Sequence, residues 1–300
     1  MNSFTNIVGG GGQCSAGVRI AGLYHDSLDS EGPLPAEHER MEQLDRQLHY
    51  MEDKGLPDVS AIDSQVDDLW SMRPELIELL IDAHASFALL PQTLFLAINL
   101  LDRYCSKQTV YGKYYKLAGY SALLIASKFL DHPDDTPHVQ ALHTLCQGDY
   151  DYSMFIKMER HILTTLDWSI GCATVDAFLQ LMAAMEGHDE EVRHMATYLC
   201  ELSLSYRTFV ATKPSVMARS CLAVAGFILG RAGEHLGLWN AIDYWILSAF
   251  CNPSEFPSEA AAHKYSGGNL SQVSQKLKAF RDQRASLLRT TEDGRYPLRL

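Results

Sequence analysis

Side chains that can bind a metal ion lie close together between residues 131 and 146 of this sequence. They include three aspartates, two histidines and a cysteine: Asp131, Asp134, Asp135, His138, His143 and Cys146. The ligand spacings usual for zinc sites are missing from this segment. We therefore predict a solvated loop followed by an exposed helix surface, and no metal site.

Motifs for nucleotide binding and for covalent catalysis are missing from the sequence as well. The glycine run at residues 9–12 is not followed by a strand and a helix, which a phosphate-binding loop requires. The serines, histidines and aspartates are scattered, so no nucleophile, base and orienting acid can be grouped. The sequence predicts a protein that is not an enzyme and needs no cofactor.

Composition narrows the classes of partner. The 300 residues carry a formal net charge of -12, and binding to nucleic acid requires Lys and Arg to replace counterions on phosphates. An acidic chain suits a basic protein surface better. No apolar run approaches the roughly 20 residues of a membrane-spanning helix, and the first residues lack a signal-peptide pattern. The seven cysteines are scattered without a paired motif, so we expect an intracellular chain with no disulfide framework.

Helical periodicity dominates the chain from about residue 37, and strand patterns are nearly absent. In the first half we predict a leading helix at 37–54, helices beginning at Ser71 and Pro91, and helices at 113–129, 139–145 and 152–166. In the second half we predict helices at 174–185, 191–206, 214–229 and 238–250. The predicted fold class is all-α, with two tandem five-helix folds preceded by an N-terminal helix.

The predicted domain boundaries follow from these elements. Residues 1–36 contain the glycine run and too few apolar residues to offset the entropy of ordering, so we expect a flexible arm. Residues 37–170 form the first domain with its leading helix, and residues 171–252 form the second. Residues 253–300 are expected to be a loop-like tail with one short basic amphipathic helix.

The helix at 113–129 has almost no polar face, so other helices must surround it. Gly119, Ala122 and Ala126 are small enough to let neighbouring helices approach closely. The pattern ends in Lys128. From the pattern alone, Lys128 either extends its ammonium group to solvent from a helix end or binds a partner.

Four segments resemble the cyclin box of the cyclin family, in the family's order and approximate spacing. They are MRPEL at residues 72–76, PQTLFLAINLLDRY at 91–104, LLIASK at 123–128 and MERHILTTLDW at 158–168. Residues 201–225 resemble the second cyclin fold more weakly. The resemblance implies a subunit that binds a cyclin-dependent kinase as a heterodimer.

In cyclins, a lysine that ends the third helix of the box and a glutamate in the fifth hydrogen-bond to the kinase backbone near its regulatory helix. Lys128 and Glu159 match these positions. Phe129, Leu163, Trp168 and Ile170 match positions that make apolar contact with the same kinase helix. For Leu163 and Ile170, simple core packing is an equally good interpretation.

The resemblance also implies a substrate-docking patch, through which kinase substrates or inhibitors bind. Met72 and Leu76 match it, whereas Glu75 stands where an apolar residue is usual. Leu79 replaces a tryptophan and Lys116 replaces a glutamine that helps to hold the docked peptide. These departures favour a different peptide, or core packing of Leu76 and Leu79.

The amino-acid sequences of the motifs are most similar to those of fungal G1-type and related B-type cyclins. The resemblance therefore implies activation of a Ser/Thr kinase in cell-cycle control at G1/S, in the nucleus and the cytoplasm. The alternatives are a transcription-related cyclin and a scaffold with the same fold. A scaffold has no need of Lys128 and Glu159 on an exposed surface.

Overall fold

The computed structural model of this chain describes residues 35–231, 239–250 and 258–292. Within these ranges the regular structure is helical, so the predicted all-α class is confirmed. The expected flexible arm at residues 1–36 lies outside the described residues, apart from its last two positions. The leading helix, α1, spans Pro35–Glu52.

The first domain contains a short extra helix and the five predicted helices. Their bounds are Val59–Asp63 (α2), Leu69–Ser86 (α3), Pro91–Lys107 (α4), Gly112–Leu130 (α5), Val139–Leu145 (α6) and Tyr152–Thr165 (α7). Helix α5 packs against α3, α4 and α7, and its residues from Leu117 to Ser127 are buried. The prediction that this apolar helix is surrounded is confirmed.

Helix α3 begins two residues earlier than predicted. The carboxylate of Asp68 accepts a hydrogen bond from the Ser71 amide and caps the helix, which satisfies one of the free N–H groups of the first turn. Pro74 therefore lies inside the helix instead of in its first turn. Our placement of the start at Ser71 was wrong because the capping aspartate, not the proline, decides it.

Gly119 permits the close approach of α3 and α5, as predicted. A Cβ atom on Gly119 would lie only 2.8 Å from Cδ1 of Leu76. Leu76 is 2% exposed, so its side chain fills the space that the missing methyl group leaves. An alanine at position 119 would force this contact apart.

The second domain keeps the predicted order with one addition. Its helices are Val175–Met185 (α8), Glu190–Ser203 (α9), Arg207–Ala211 (α10), Pro214–Ile228 (α11) and Ala241–Phe250 (α12). The predicted helix at 191–206 ends at Ser203, and α10 follows it as a separate short helix. Helix α1 packs against α8 and α11, so the leading helix contacts the second domain.

The segment after residue 257 is more ordered than expected. Helix α13 spans Glu259–Lys264 and α14 spans Val273–Glu292, a helix of 20 residues where we predicted a short one. Helix α13 packs on α3 and α14 packs on α9. Ala261, Val273 and Leu277 are buried, so this segment joins the core. The domain boundaries themselves stay predictions.

Candidate functional site

Lys128 and Glu159 form an ion pair on the surface of the first domain. Lys128 lies in the last turn of α5 and Glu159 lies on the adjacent helix α7. The Lys128 Nζ atom donates a hydrogen bond to Glu159 Oε1 over 2.5 Å. The Lys128 side chain is 34% exposed and the Glu159 side chain is 14% exposed. The structure thus brings together the two residues expected to bind a partner, although the carboxylate is more covered than we expected.

Helix α7 is anchored in the core by an apolar face, and Glu159 lies at the edge of that face. Phe155 and Ile162 are fully buried, and Leu166 continues the same inward face. Residues three and four apart share one side of a helix, so this spacing anchors α7 in the core. Glu159 follows Phe155 by four residues and precedes Ile162 by three, so it lies at the edge of this same side, where its side chain is 14% exposed and within reach of Lys128.

Trp168 is held outward by a turn in the left-handed region at the end of α7. Asp167 and Trp168 have φ angles of 53° and 58°, which non-glycine residues seldom adopt. The Trp168 amide donates a hydrogen bond to the Leu163 carbonyl over 2.9 Å. Trp168 is 54% exposed. A large aromatic side chain kept exposed on such a backbone is a candidate contact residue.

Arg103 fixes the segment that follows Trp168, and the sequence reasoning missed it. Its Nη2 atom donates a hydrogen bond to the Ser169 carbonyl over 2.9 Å. The residue is 8% exposed, and burial lowers the pKa of its guanidinium. The available signal was a charged residue on the otherwise buried helix α4.

The other apolar positions divide into core and half-buried residues. Leu163 is 5% exposed and belongs to the core, whereas Phe129 and Ile170 are half-buried against it. The tip of the Phe129 ring, Cζ, lies 3.8 Å from where a Cβ on Gly171 would stand. Phe129 and Gly171 line a cavity of about 40 Å³. The core interpretation therefore holds for Leu163 in the free chain.

The predicted docking patch forms a cleft of about 490 Å³ beside α3 and α5. Met72 is 37% exposed at its edge, and Lys116 forms an ion pair with Glu75 over 3.0 Å. Leu76 is buried and Leu79 is half-buried. The two residues that depart from the cyclin pattern, Glu75 and Lys116, thus bind each other across the cleft.

The metal-binding residue types near position 131 have structural partners. Asp131 accepts hydrogen bonds from the Leu90 amide and the Thr93 hydroxyl, both over 2.7 Å. The His143 ring stacks on Tyr152 with centroids 4.4 Å apart. Burial raises the pKa of Cys146 to about 11. Across the described ranges, no three His, Cys, Asp or Glu side chains are grouped to hold a metal.

A search of the same described ranges for membrane-spanning helices finds none that is both long and apolar enough. The five cysteines described there are free thiols.

Two family descriptions match most of the folded chain. Residues 46–171 match "Cyclin, N-terminal domain" and residues 173–243 match "Cyclin, C-terminal domain". The chain belongs to the cyclin family. The resemblance stated from the motifs is thereby confirmed, and the matched ranges include α3 to α7 with Lys128 and Glu159.

The relatives of this chain include cyclins that are named for different phases of the cell cycle. The chain is 36% identical over 222 residues to "G1/S-specific cyclin CCN1" of Candida albicans, covering 67% of this chain and 32% of that protein. It is 33% identical over 216 residues to "G2/mitotic-specific cyclin-B" of Emericella nidulans, covering 72% of this chain and 44% of that protein. This cyclin thus spans less than half the length of these relatives.

A solved structure supports the fold. A viral cyclin from herpesvirus saimiri matches with a TM-score of 0.54 and 17% identity, covering 78% of this chain and 96% of the viral one. At this identity the likeness concerns the fold alone. It agrees with the two tandem helical domains of this cyclin.

Proposed function

We propose that this cyclin is a regulatory subunit that binds and activates a cyclin-dependent Ser/Thr kinase in cell-cycle control, at G1/S. The observation that carries the proposal is the Lys128–Glu159 ion pair at the surface, with the Lys128 side chain 34% exposed and the Glu159 side chain 14% exposed. Charged groups on long side chains make strong hydrogen bonds to backbone groups of a partner. The pair is already assembled in the free chain, so little ordering is needed on binding.

The proposed mechanism is a shift in kinase population, with all catalytic groups on the kinase. The cyclin binds the kinase conformation in which the regulatory helix is turned inward, and stabilises it by differential affinity. In that conformation a glutamate of the kinase pairs with the lysine of its ATP site. Trp168, Phe129 and Ile170 contribute apolar contact beside the ion pair.

The G1/S assignment rests on the amino-acid sequences of the motifs and on the similarity to the G1/S-specific cyclin CCN1. The B-type relative has a comparable identity, so a later cell-cycle role is the nearest competing assignment. Nuclear and cytoplasmic localisation belongs to the same proposal, since a cell-cycle kinase acts in both.

We also propose that the cleft beside Met72 docks peptides from kinase substrates or inhibitors. The Glu75–Lys116 ion pair in its lining supports a preference for peptides with charged groups that can replace one member of the pair. A peptide with only apolar anchors would partly remove both charges from water and would give them no new hydrogen-bond partner.

The alternatives are a transcription-related cyclin and a scaffold that contacts no kinase. A scaffold would show no kinase binding that depends on Lys128 and Glu159. A transcription-related cyclin would bind through the same pair but would activate a kinase for the RNA polymerase II tail instead of one for histone H1.

The test is a pull-down of kinase from fungal extract, followed by a histone H1 kinase assay. We expect wild type to yield activity and the Lys128→Ala, Glu159→Ala double variant to yield little, since hot-spot truncation removes about 2 kcal/mol or more per residue. The matched control is Lys276→Ala with Glu191→Ala, another ion pair between two helices. Equal activity of wild type and the Lys128 double variant would contradict the proposal.

A further inference from the structure

A buried charged cluster lies where the two domains meet the last helices of the chain. Glu201 of α9 is 0% exposed. Its Oε1 atom accepts a hydrogen bond from Lys264 Nζ over 2.5 Å and another from the Tyr265 hydroxyl over 2.8 Å. Lys264 and Tyr265 lie at the end of α13. A carboxylate buried without a cation is strongly destabilising, so Lys264 compensates for the burial of Glu201.

The first domain contributes His84 of α3 to this cluster. Lys264 Nζ lies 3.4 Å from Nδ1 of His84, and Nε2 of the same ring lies 2.9 Å from the Leu90 carbonyl. Because an ammonium group only donates hydrogen bonds, Nδ1 accepts and Nε2 donates to Leu90. Burial and the Lys264 charge lower the pKa of His84 to about 3, so the ring is neutral and suited to this role. Lys264 thus contacts both domains.

Asp176 of α8 is a second buried carboxylate on which the Lys264 charge acts. Burial raises the pKa of Asp176 to about 6, the Glu201 charge adds to this effect, and the Lys264 charge opposes it. Burial and the Glu201 charge also raise the pKa of the Tyr265 hydroxyl, which therefore stays protonated and donates. The position of α13 is coupled in this way to charges on three other helices.

The other contacts of α13 involve small side chains and the backbone. Helix α13 packs on α3 and α9. Ala260 and Ala261 are buried, and the Ala260 amide donates a hydrogen bond to Glu78 of α3 over 2.9 Å. The ring of Tyr265 lies 5.0 Å from that of Tyr198. Alanine buries little apolar area, so the charged cluster has a large share in holding α13 against both domains.

This part of the chain lies beyond the two matched family ranges, the second of which ends at residue 243. We propose that residues 258–292 form a clamp segment that opens and closes as one unit, holds the second domain against α3, and is kept closed by Lys264. Such units open at a lower free energy than the whole protein. The inference does not depend on kinase binding.

The test uses the full chain with a protease site introduced into residues 251–257. After cleavage, the binding of fragment 258–300 to the rest of the protein is measured by size-exclusion chromatography over a dilution series. We expect the wild-type fragment to stay bound and Lys264→Met to weaken its binding about tenfold or more. Tyr265→Phe, which keeps the ring, should have a smaller effect. The control is Lys278→Met, at an exposed lysine of α14, which should change binding less than about twofold.

Two further measurements separate the clamp from general folding. The double variant Lys264→Met with Glu201→Gln removes both charges and keeps an oxygen that accepts from Tyr265, so it should regain part of the lost binding. In the uncut chain, hydrogen exchange of the amides at residues 259–264 should be faster in Lys264→Met than in wild type, while the amides of α5 keep their protection.

A wild-type fragment that separates as readily as that of Lys264→Met would overturn the inference. The same holds for a Lys264→Met fragment that stays bound like wild type. Faster exchange of α5 together with residues 259–264 would show that Lys264 stabilises the whole protein and that the segment does not open by itself.

Discussion

Two ion pairs of opposite surroundings join helices of the first domain. Arg73 of α3 and Asp102 of α4 are bound by two hydrogen bonds, of 2.5 and 2.9 Å, with both residues at most 3% exposed. Lys128 and Glu159 are bound by one of 2.5 Å at the surface. The buried pair has no route to a partner, whereas the exposed pair can exchange its bonds. The difference shows that charge pairing alone does not mark a binding site.

The buried pair also has a third connection, which reaches the second domain. The Arg73 Nε atom donates a hydrogen bond to the Leu204 carbonyl over 2.7 Å, and Leu204 is the C-cap residue that follows helix α9 of the second domain. Arg73 therefore ties α3 to α4 and to the second domain at once. Burial of Asp102 raises the pKa of its carboxyl, and the Arg73 charge opposes that effect.

Breaking the buried Arg73–Asp102 pair should have the largest effect on the free energy of unfolding. We expect Arg73→Met to lower the free energy of unfolding by about 3–5 kcal/mol, since it leaves the Asp102 carboxylate buried without its cation. Urea denaturation followed by circular dichroism measures the change. The control is the double variant Arg73→Met with Asp102→Leu, which should recover part of the loss. A single variant as stable as wild type would show that the pair is not structural.

Asp176, a buried carboxylate without a bound cation, should have the second-largest effect on stability. Asp176 is 1% exposed and accepts a hydrogen bond from Gln180 over 3.2 Å. Burial raises its pKa to about 6, so the folded state binds the proton more tightly than the unfolded state. The charged Asp176 carboxylate therefore lowers the free energy of unfolding by about 3 kcal/mol above pH 6. This destabilisation disappears as the pH falls toward 4.

We therefore expect Asp176→Asn to be more stable than wild type at pH 7.5, with a difference that shrinks as the pH falls from 7 to 4. Asparagine keeps an oxygen that can accept from Gln180, so the variant removes the charge with little change in shape. Unfolding free energies of the two proteins across this range provide the measurement. Parallel curves for the two proteins would contradict the raised pKa.

A buried carboxylate that binds backbone should have an intermediate effect. Glu52 is 2% exposed, and its carboxylate accepts hydrogen bonds from the Ser215 amide and hydroxyl over 2.7 and 3.1 Å. It thus caps α11, whose preceding residue Lys213 makes no side-chain cap. We expect Glu52→Ala to lower the unfolding free energy by about 1–2 kcal/mol.

Glu52→Gln is the matched control, because its amide oxygen can still accept from the Ser215 amide. Thermal melting of the two variants should rank glutamine between wild type and alanine. Equal melting of Glu52→Ala and wild type would show that the contact between α1 and α11 does not stabilise the domain interface.

Sequence reasoning predicted the elements well where local pattern decides them. Helix α5 was predicted from its apolar run, and Gly119 was expected at a close contact before Leu76 was known to fill it. The motif resemblance also placed Lys128 and Glu159 on one surface. These features depend on residues close in sequence or on a long ordered set of motifs.

The parts that sequence reasoning missed depend on contacts between distant residues. Lys264 of α13 donates a hydrogen bond to Glu201 over 2.5 Å, and the Ala260 amide donates to Glu78 over 2.9 Å. Helix α13 has only six residues, too few to show a period. No local pattern indicates that such a short helix packs between the domains.

The exposed pair should have the smallest effect on stability and the largest on binding. We expect Lys128→Ala with Glu159→Ala to change the unfolding free energy by less than about 1 kcal/mol, because exposed ion pairs are screened by water. Urea denaturation beside the kinase pull-down gives both quantities on one preparation. Loss of kinase binding at unchanged stability would separate this pair from Arg73–Asp102 in function as well as in burial. A stability loss as large as that of Arg73→Met would make Lys128 and Glu159 structural residues instead.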